Sequence, residues 1–133
     1  YIFELEKFAD LEGKTGPYLL YSTIRMKSLL KKSKISNDIN IKQIIGIDER
    51  NIAIQLLELD SVLSKALETK SLNDIAEYLY VLTSLYNKFY AEHKVLTEEK
   101  EELKESWIAL TETVYNVNIL LLNILGIKVP EKM

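Results

Sequence analysis

Residues 101–126 read EELKESWIALTETVYNVNILLLNILG. Along them Leu103, Trp107, Leu110, Val114, Val117, Leu121 and Ile124 recur in alternating steps of four and three. That spacing sets side chains on one face of an α-helix. Glu98, Glu99, Glu101 and Glu102 stand where the helix dipole favours negative charge, and the same run could be drawn as a divalent-cation site. The solvated first turns are the simpler reading, with Thr97 opening the helix. Gly126 supplies the stop, and Pro130 marks the point beyond which no helix continues.

The same period extends upstream. Ile75, Tyr78, Leu79, Leu82, Leu85 and Phe89 form one seam, preceded by Ser71 and Asp74 in capping-box spacing. Ile52, Leu56, Leu59, Leu63 and Ala66 form another, with Asp48 as expected cap and Glu49 in the first turn. A further helix is expected from Pro17, whose missing N–H costs nothing at a first turn, to about Ser33. It carries two stripes: Leu19, Met26 and Leu30 on one side, Tyr18, Tyr21 and Arg25 on another. One core needs only one stripe. Residues 3–11 read as a short helix or turn, and residues 34–47 as a polar, isoleucine-rich connection. No segment alternates with period two. The expectation is an all-α antiparallel bundle of about five helices, forming one domain over residues 1–133.

Composition agrees. A chain of 133 residues with 47% hydrophobic residues can bury a core without staples, and it has no cysteine for a disulfide, a thiol nucleophile or a Cys-based zinc site. That usage suits a reducing cytoplasm. No apolar run approaches the ~20 residues of a membrane span. Position 1 is Tyr rather than Met, as expected of a piece of a longer polypeptide. Net charge is −3, yet Gly13 to Asn37 holds Lys14, Arg25, Lys27, Lys31, Lys32 and Lys34 and no acidic residue. This local basic stripe suits limited contact with a polyanion; alternatively, Lys31, Lys32 and Lys34 merely complement a helix C-terminus. His93, the single histidine, lacks obvious companion ligands and reads as solvated. There is no phosphate-cradling glycine loop and no constellation resembling an active site.

Three motifs carry a resemblance. Residues 12–25, EGKTGPYLLYSTIR, closely resemble the opening of the C-terminal domain of arginine–tRNA ligases, which reads EGxTGPYLxYxxxR. LYNKFY at 85–90, followed by Val95 and Leu96, matches in order. The ending LGIKVPEKM at 125–133 is similar to the family's LGIxxPERM, with Lys132 in place of Arg. The resemblance implies a helical domain that docks on the anticodon arm of tRNA. Tyr18, Tyr21, Tyr86, Tyr90 and Met133 would line a groove for unstacked loop bases, with Arg25 on phosphate or bracing the tyrosines. The terminal carboxylate of Met133 would add a base-edge acceptor. Loop bases of RNA are read by such stacking and edge contacts.

Without the resemblance the tyrosines would count as core. Tyr78, Tyr80, Tyr115 and Trp107 keep that reading. The family's ATP-binding signatures, an HxGH-like motif and a KMS-like loop, are absent, so this chain is expected to bind and not to aminoacylate. It needs no cofactor of its own. ATP and magnesium belong to the intact enzyme, whose catalytic domain would be its partner on the same polypeptide. A monomer is expected. The rival readings are the anticodon domain of a cysteine–tRNA ligase, which lacks the EGxTGPYLxY opening, and a helical protein-interaction module with no RNA role.

Overall fold

The computed structural model describes residues 16–33 and 39–131. The expected segment at 3–11, Lys34 and Met133 lie outside them. Among the described residues there are five α-helices: α1 (Gly16–Ser33), α2 (Ile47–Leu57), α3 (Leu59–Thr69), α4 (Leu72–Glu92) and α5 (Glu101–Ile124). A 3₁₀ turn at Val95–Thr97 joins α4 to α5. No strand occurs among the described residues, and no helix there is long and apolar enough to cross a membrane.

Helix α4 is the hub, packing against α1, α2, α3 and α5. Its seam side chains Leu79, Leu82 and Phe89 are wholly buried, as are Met26 of α1, Ile52 of α2 and Val114 and Leu122 of α5. Tyr80 does not join them. It is 46% exposed, because it lies two residues, about 200° of helix, from Tyr78. Ile124, at the seam's end, is likewise 43% exposed, whereas Trp107 is buried as expected.

The core also contains a polar node. Asn118 Nδ2 donates to Thr23 Oγ1 at 3.1 Å and to Thr83 Oγ1 at 3.2 Å, tying α1, α4 and α5 together. Thr23 and Ser22 are buried beside Leu19 and Met26, so the inward face of α1 is part polar. A periodicity of apolar residues alone does not reveal such a face.

The expected single helix from Glu49 to Ala66 is two. Its ladder breaks at Glu58 without Gly or Pro. Tyr78 Oη donates to the Gln55 carbonyl at 2.6 Å, and the Glu58 amide bonds the same oxygen at 3.2 Å. A side chain from α4 therefore intrudes on the i−4 ladder and tightens the turn, an established cause of helix bends. The caps differ too. Asp48 lies inside the first turn of α2, and Gly46 is the N-cap. The buried Glu49 carboxylate accepts from the Gly46 amide at 3.1 Å and the Ile45 amide at 3.3 Å. Ser71 caps α4 by position without a side-chain bond, and α5 begins after Lys100 rather than Thr97.

The end of α5 follows expectation. Gly126 takes φ 79°, with its amide on Asn123 O at 3.0 Å and the Ile127 amide on Leu122 O at 2.8 Å. This is the Schellman arrangement, which only a residue free of Cβ adopts cheaply. It turns the chain so that Ile127 and Val129 pack on the core and Glu131 pairs with Lys27 of α1 at 3.0 Å.

Candidate nucleic-acid interface

The second stripe of α1 runs along the edge of the core and out to solvent. Tyr21 is 54% exposed, Arg25 is exposed and Tyr18 is half-buried. The Tyr18 hydroxyl is held by α4: it donates to Ser84 Oγ at 3.3 Å and accepts from Asn87 Nδ2 at 2.9 Å. Asn87 Nδ2 also donates to Ser22 Oγ at 2.8 Å. One phenol is thus oriented by two residues of α4, while its neighbour Tyr21 stands free.

Arg25 crosses to α4 as well. Its guanidinium carbon lies 5.2 Å from the centroid of the half-buried Tyr90 ring, a cation–π geometry. The structure therefore brings Tyr18, Arg25 and Tyr90 together along the α1–α4 boundary, with Tyr21 exposed on α1 nearby. Beside Tyr90 opens a cleft of ≈ 260 Å³, bounded by Leu29, His93, Lys94 and the Val95–Thr97 turn. Lys31 and Lys32 are exposed in the last turn of α1, so cations flank this side of the molecule.

Tyr86 requires a correction. It has no exposed surface and is a core side chain, not a groove wall. Its hydroxyl lies 2.9 Å from Thr111 Oγ1, whose own proton goes to Trp107 O at 2.9 Å, so Tyr86 is the donor. The ring backs Tyr90 at 6.3 Å and Phe89 at 5.7 Å between centroids. It supports the site from behind. Register does not separate the two tyrosines, since residues four apart share a helix face; α5 covers Tyr86 through Thr111, whereas Tyr90 borders the cleft near the end of α4.

His93 is corrected also. It is half-buried, stacked on Phe89 at 4.7 Å and edge-on to Trp107 at 5.1 Å, with Nδ1 3.0 Å from Phe89 O. It has companions too: Asp48, Glu92 and His93 bring potential ligand atoms within 4.8 Å of one another. Lys88 already places an ammonium 3.8 Å from the buried Asp48 carboxylate. The Glu92 carboxyl is raised above its ordinary range, first by its hydrogen bond with Asp48 and then by that residue's charge.

Burial pushes the Tyr86 hydroxyl up to about 12, with the Thr111 bond opposing. Burial, helped by the Glu58 charge, takes Tyr78 to about 12 as well. Above pH ~10 an unfolded tyrosine sheds its proton before these two do. Stability is therefore intact below that pH and declines as pH rises towards 12. Tyr86 alone is expected to account for a loss on the order of 3 kcal/mol. Denaturant unfolding across this range checks it: Tyr86→Phe should decline less steeply, and an unchanged slope would exclude the Tyr86 hydroxyl as the cause.

Sequence reasoning missed Ser84 and Asn87 as the residues that hold the Tyr18 hydroxyl. Their spacing held the signal, since positions 84 and 87 share one face of α4.

Comparison with known proteins follows the same geometry. The DALR anticodon binding domain matches residues 19–133. The arginine–tRNA ligase of Alkaliphilus oremlandii is 36% identical over 137 residues, covering 100% of this chain and 23% of the relative. That of Francisella tularensis subsp. novicida is 34% identical over 141 residues, with 100% and 24% covered. The chain thus spans about a quarter of the length of these relatives. Among solved structures, Thermus thermophilus arginyl-tRNA synthetase superposes with TM-score 0.79 at 28% identity, over 92% of this chain and 22% of that one. The Plasmodium falciparum arginyl-tRNA synthetase gives 0.74 at 26%, with the same coverage. With its helical bundle and its outward aromatic stripe on α1, the chain belongs to the DALR anticodon-binding domain family.

Proposed function

We propose that this chain binds the anticodon loop of an arginine tRNA, as the anticodon-reading part of an arginine–tRNA ligase. The observation that carries this reading is the α1–α4 boundary itself. Tyr21 and Arg25 of α1 are exposed, Tyr18 is half-buried beside α4, and the arginine sits over Tyr90 of α4. Splayed loop bases stack on such rings, and a guanidinium neutralises the adjoining phosphates. Tyr18, Tyr21, Arg25 and Tyr90 make these contacts; Met133, outside the described residues, is added to them on the family resemblance alone. Tyr86 serves behind them. Arginine activation, with ATP and magnesium, belongs to the remainder of the ligase, and the domain works as a monomer in the cytoplasm.

The test is a binding titration with an arginine anticodon stem-loop and with the same stem-loop carrying a replaced anticodon. The native loop should bind at least about ten-fold more tightly, the discrimination expected when base edges are also read by hydrogen bonds. Equal affinity, or none for either, would remove the reading. The protein-interaction alternative would survive that outcome.

A further inference from the structure

One aromatic side chain lies beside the site although no motif marks it. Of the α4 tyrosines, Tyr78 is buried with its hydroxyl on Gln55 O, and Tyr86 is buried with its hydroxyl on Thr111. Tyr80 is different. It is 46% exposed, and its hydroxyl has no hydrogen-bond partner among the described residues. Its ring centroid lies 5.7 Å from that of Tyr18, with the planes tilted by 52°.

The tilt matters. Tyr18 is fixed at its hydroxyl by Ser84 and Asn87, which follow Tyr80 on the same α4 face at four and seven residues. Those bonds hold the tip of Tyr18 on this face of α4, next to Tyr80. The two rings meet at a tilt instead of in a closed stack, and the exposed Tyr80 keeps aromatic surface open to another planar group.

We propose that Tyr80 is a second stacking surface of the RNA site, receiving a loop nucleobase adjacent to the one that Tyr18 holds. This rests on the anticodon-loop reading above. Its chemistry also defines its role. A phenol face accepts any base and reads no edge, so Tyr80 contributes affinity and not base identity. The unpartnered hydroxyl takes no part, so the ring alone should suffice.

The experiment uses the arginine anticodon stem-loop and fluorescence anisotropy. Tyr80→Ala and Tyr80→Leu are both expected to weaken binding about ten-fold, within the range of one base–aromatic contact, while Tyr80→Phe restores it. Leucine is the decisive variant because it can still pack against Tyr18 but offers no aromatic face. A series of stem-loops, each with one abasic loop nucleotide, then locates the contact. One abasic position should weaken binding to the unsubstituted protein and have no further effect in Tyr80→Ala. A different position should behave so in Tyr18→Ala, and exchanging one base for another at the Tyr80 position should change little. Full affinity in Tyr80→Leu would reduce Tyr80 to packing and overturn the inference, as would the lack of any abasic penalty that disappears in Tyr80→Ala. In either case native-anticodon preference in the unsubstituted protein leaves the anticodon reading standing. Loss of that preference would overturn both.

Discussion

Tyr86→Ala is expected to lose about 3–5 kcal/mol of folding stability, the cost of emptying a large aromatic site in a packed core. The side chain has no exposed surface and touches the rings of Phe89 and Tyr90. Since domains hold only about 5–15 kcal/mol in total, this one truncation should bring the protein close to unfolding at ambient temperature. The partner variant distinguishes core from groove. Tyr86→Phe keeps the ring and deletes only the donor to Thr111, whose proton remains on Trp107 O. It should cost about 1 kcal/mol in urea unfolding and leave affinity for the anticodon stem-loop unchanged. A folded Tyr86→Phe that bound RNA markedly less well would show that the hydroxyl reaches the ligand, and the core assignment would fail.

Tyr90→Ala is expected to do the opposite, weakening anticodon binding by about 10- to 100-fold while the bundle stays folded. Two effects add. A stacking face disappears, and Arg25 loses the ring beneath its guanidinium, so the cation is no longer held beside the loop phosphates. Arg25→Ala should weaken binding less and reduce its salt dependence, because one phosphate contact fewer releases fewer counterions. Combining both substitutions should cost less than the sum of the two, since each removes part of the same arrangement. Binding by a folded Tyr90→Ala within about two-fold of the parent would exclude Tyr90 from the site.

These two tyrosines show what could be read from residues alone. Both lie in one six-residue motif, and both were expected in the groove. Periodicity already put Tyr86 near the edge of the α4 seam, but a seam has width, and sequence does not say which edge faces inward. Packing of Thr111 and Trp107 from α5 decides it. The error over Tyr80 is the mirror image: a tyrosine near buried positions counted as core, although its angle on the helix turns it outward. His93 looked solvated because its neighbours in the chain are polar, yet its partners Phe89 and Trp107 come from other turns.

What the sequence determined by itself was local and periodic. The seams of α4 and α5 follow from the four–three recurrence, since burying one face is the main free-energy gain open to such segments. The Gly126 stop follows from the left-handed backbone that glycine alone accepts cheaply. The two stripes of α1 separated the buried Leu19 and Met26 from the exposed Tyr21 and Arg25 before any neighbour was known. Tertiary structure alone decided the break at Glu58, where a tyrosine hydroxyl from α4 captures the Gln55 carbonyl, and the clamp of Tyr18 by Ser84 and Asn87. These bonds join residues 23 to 69 positions apart, and short-range periodicity carries no information about such pairs.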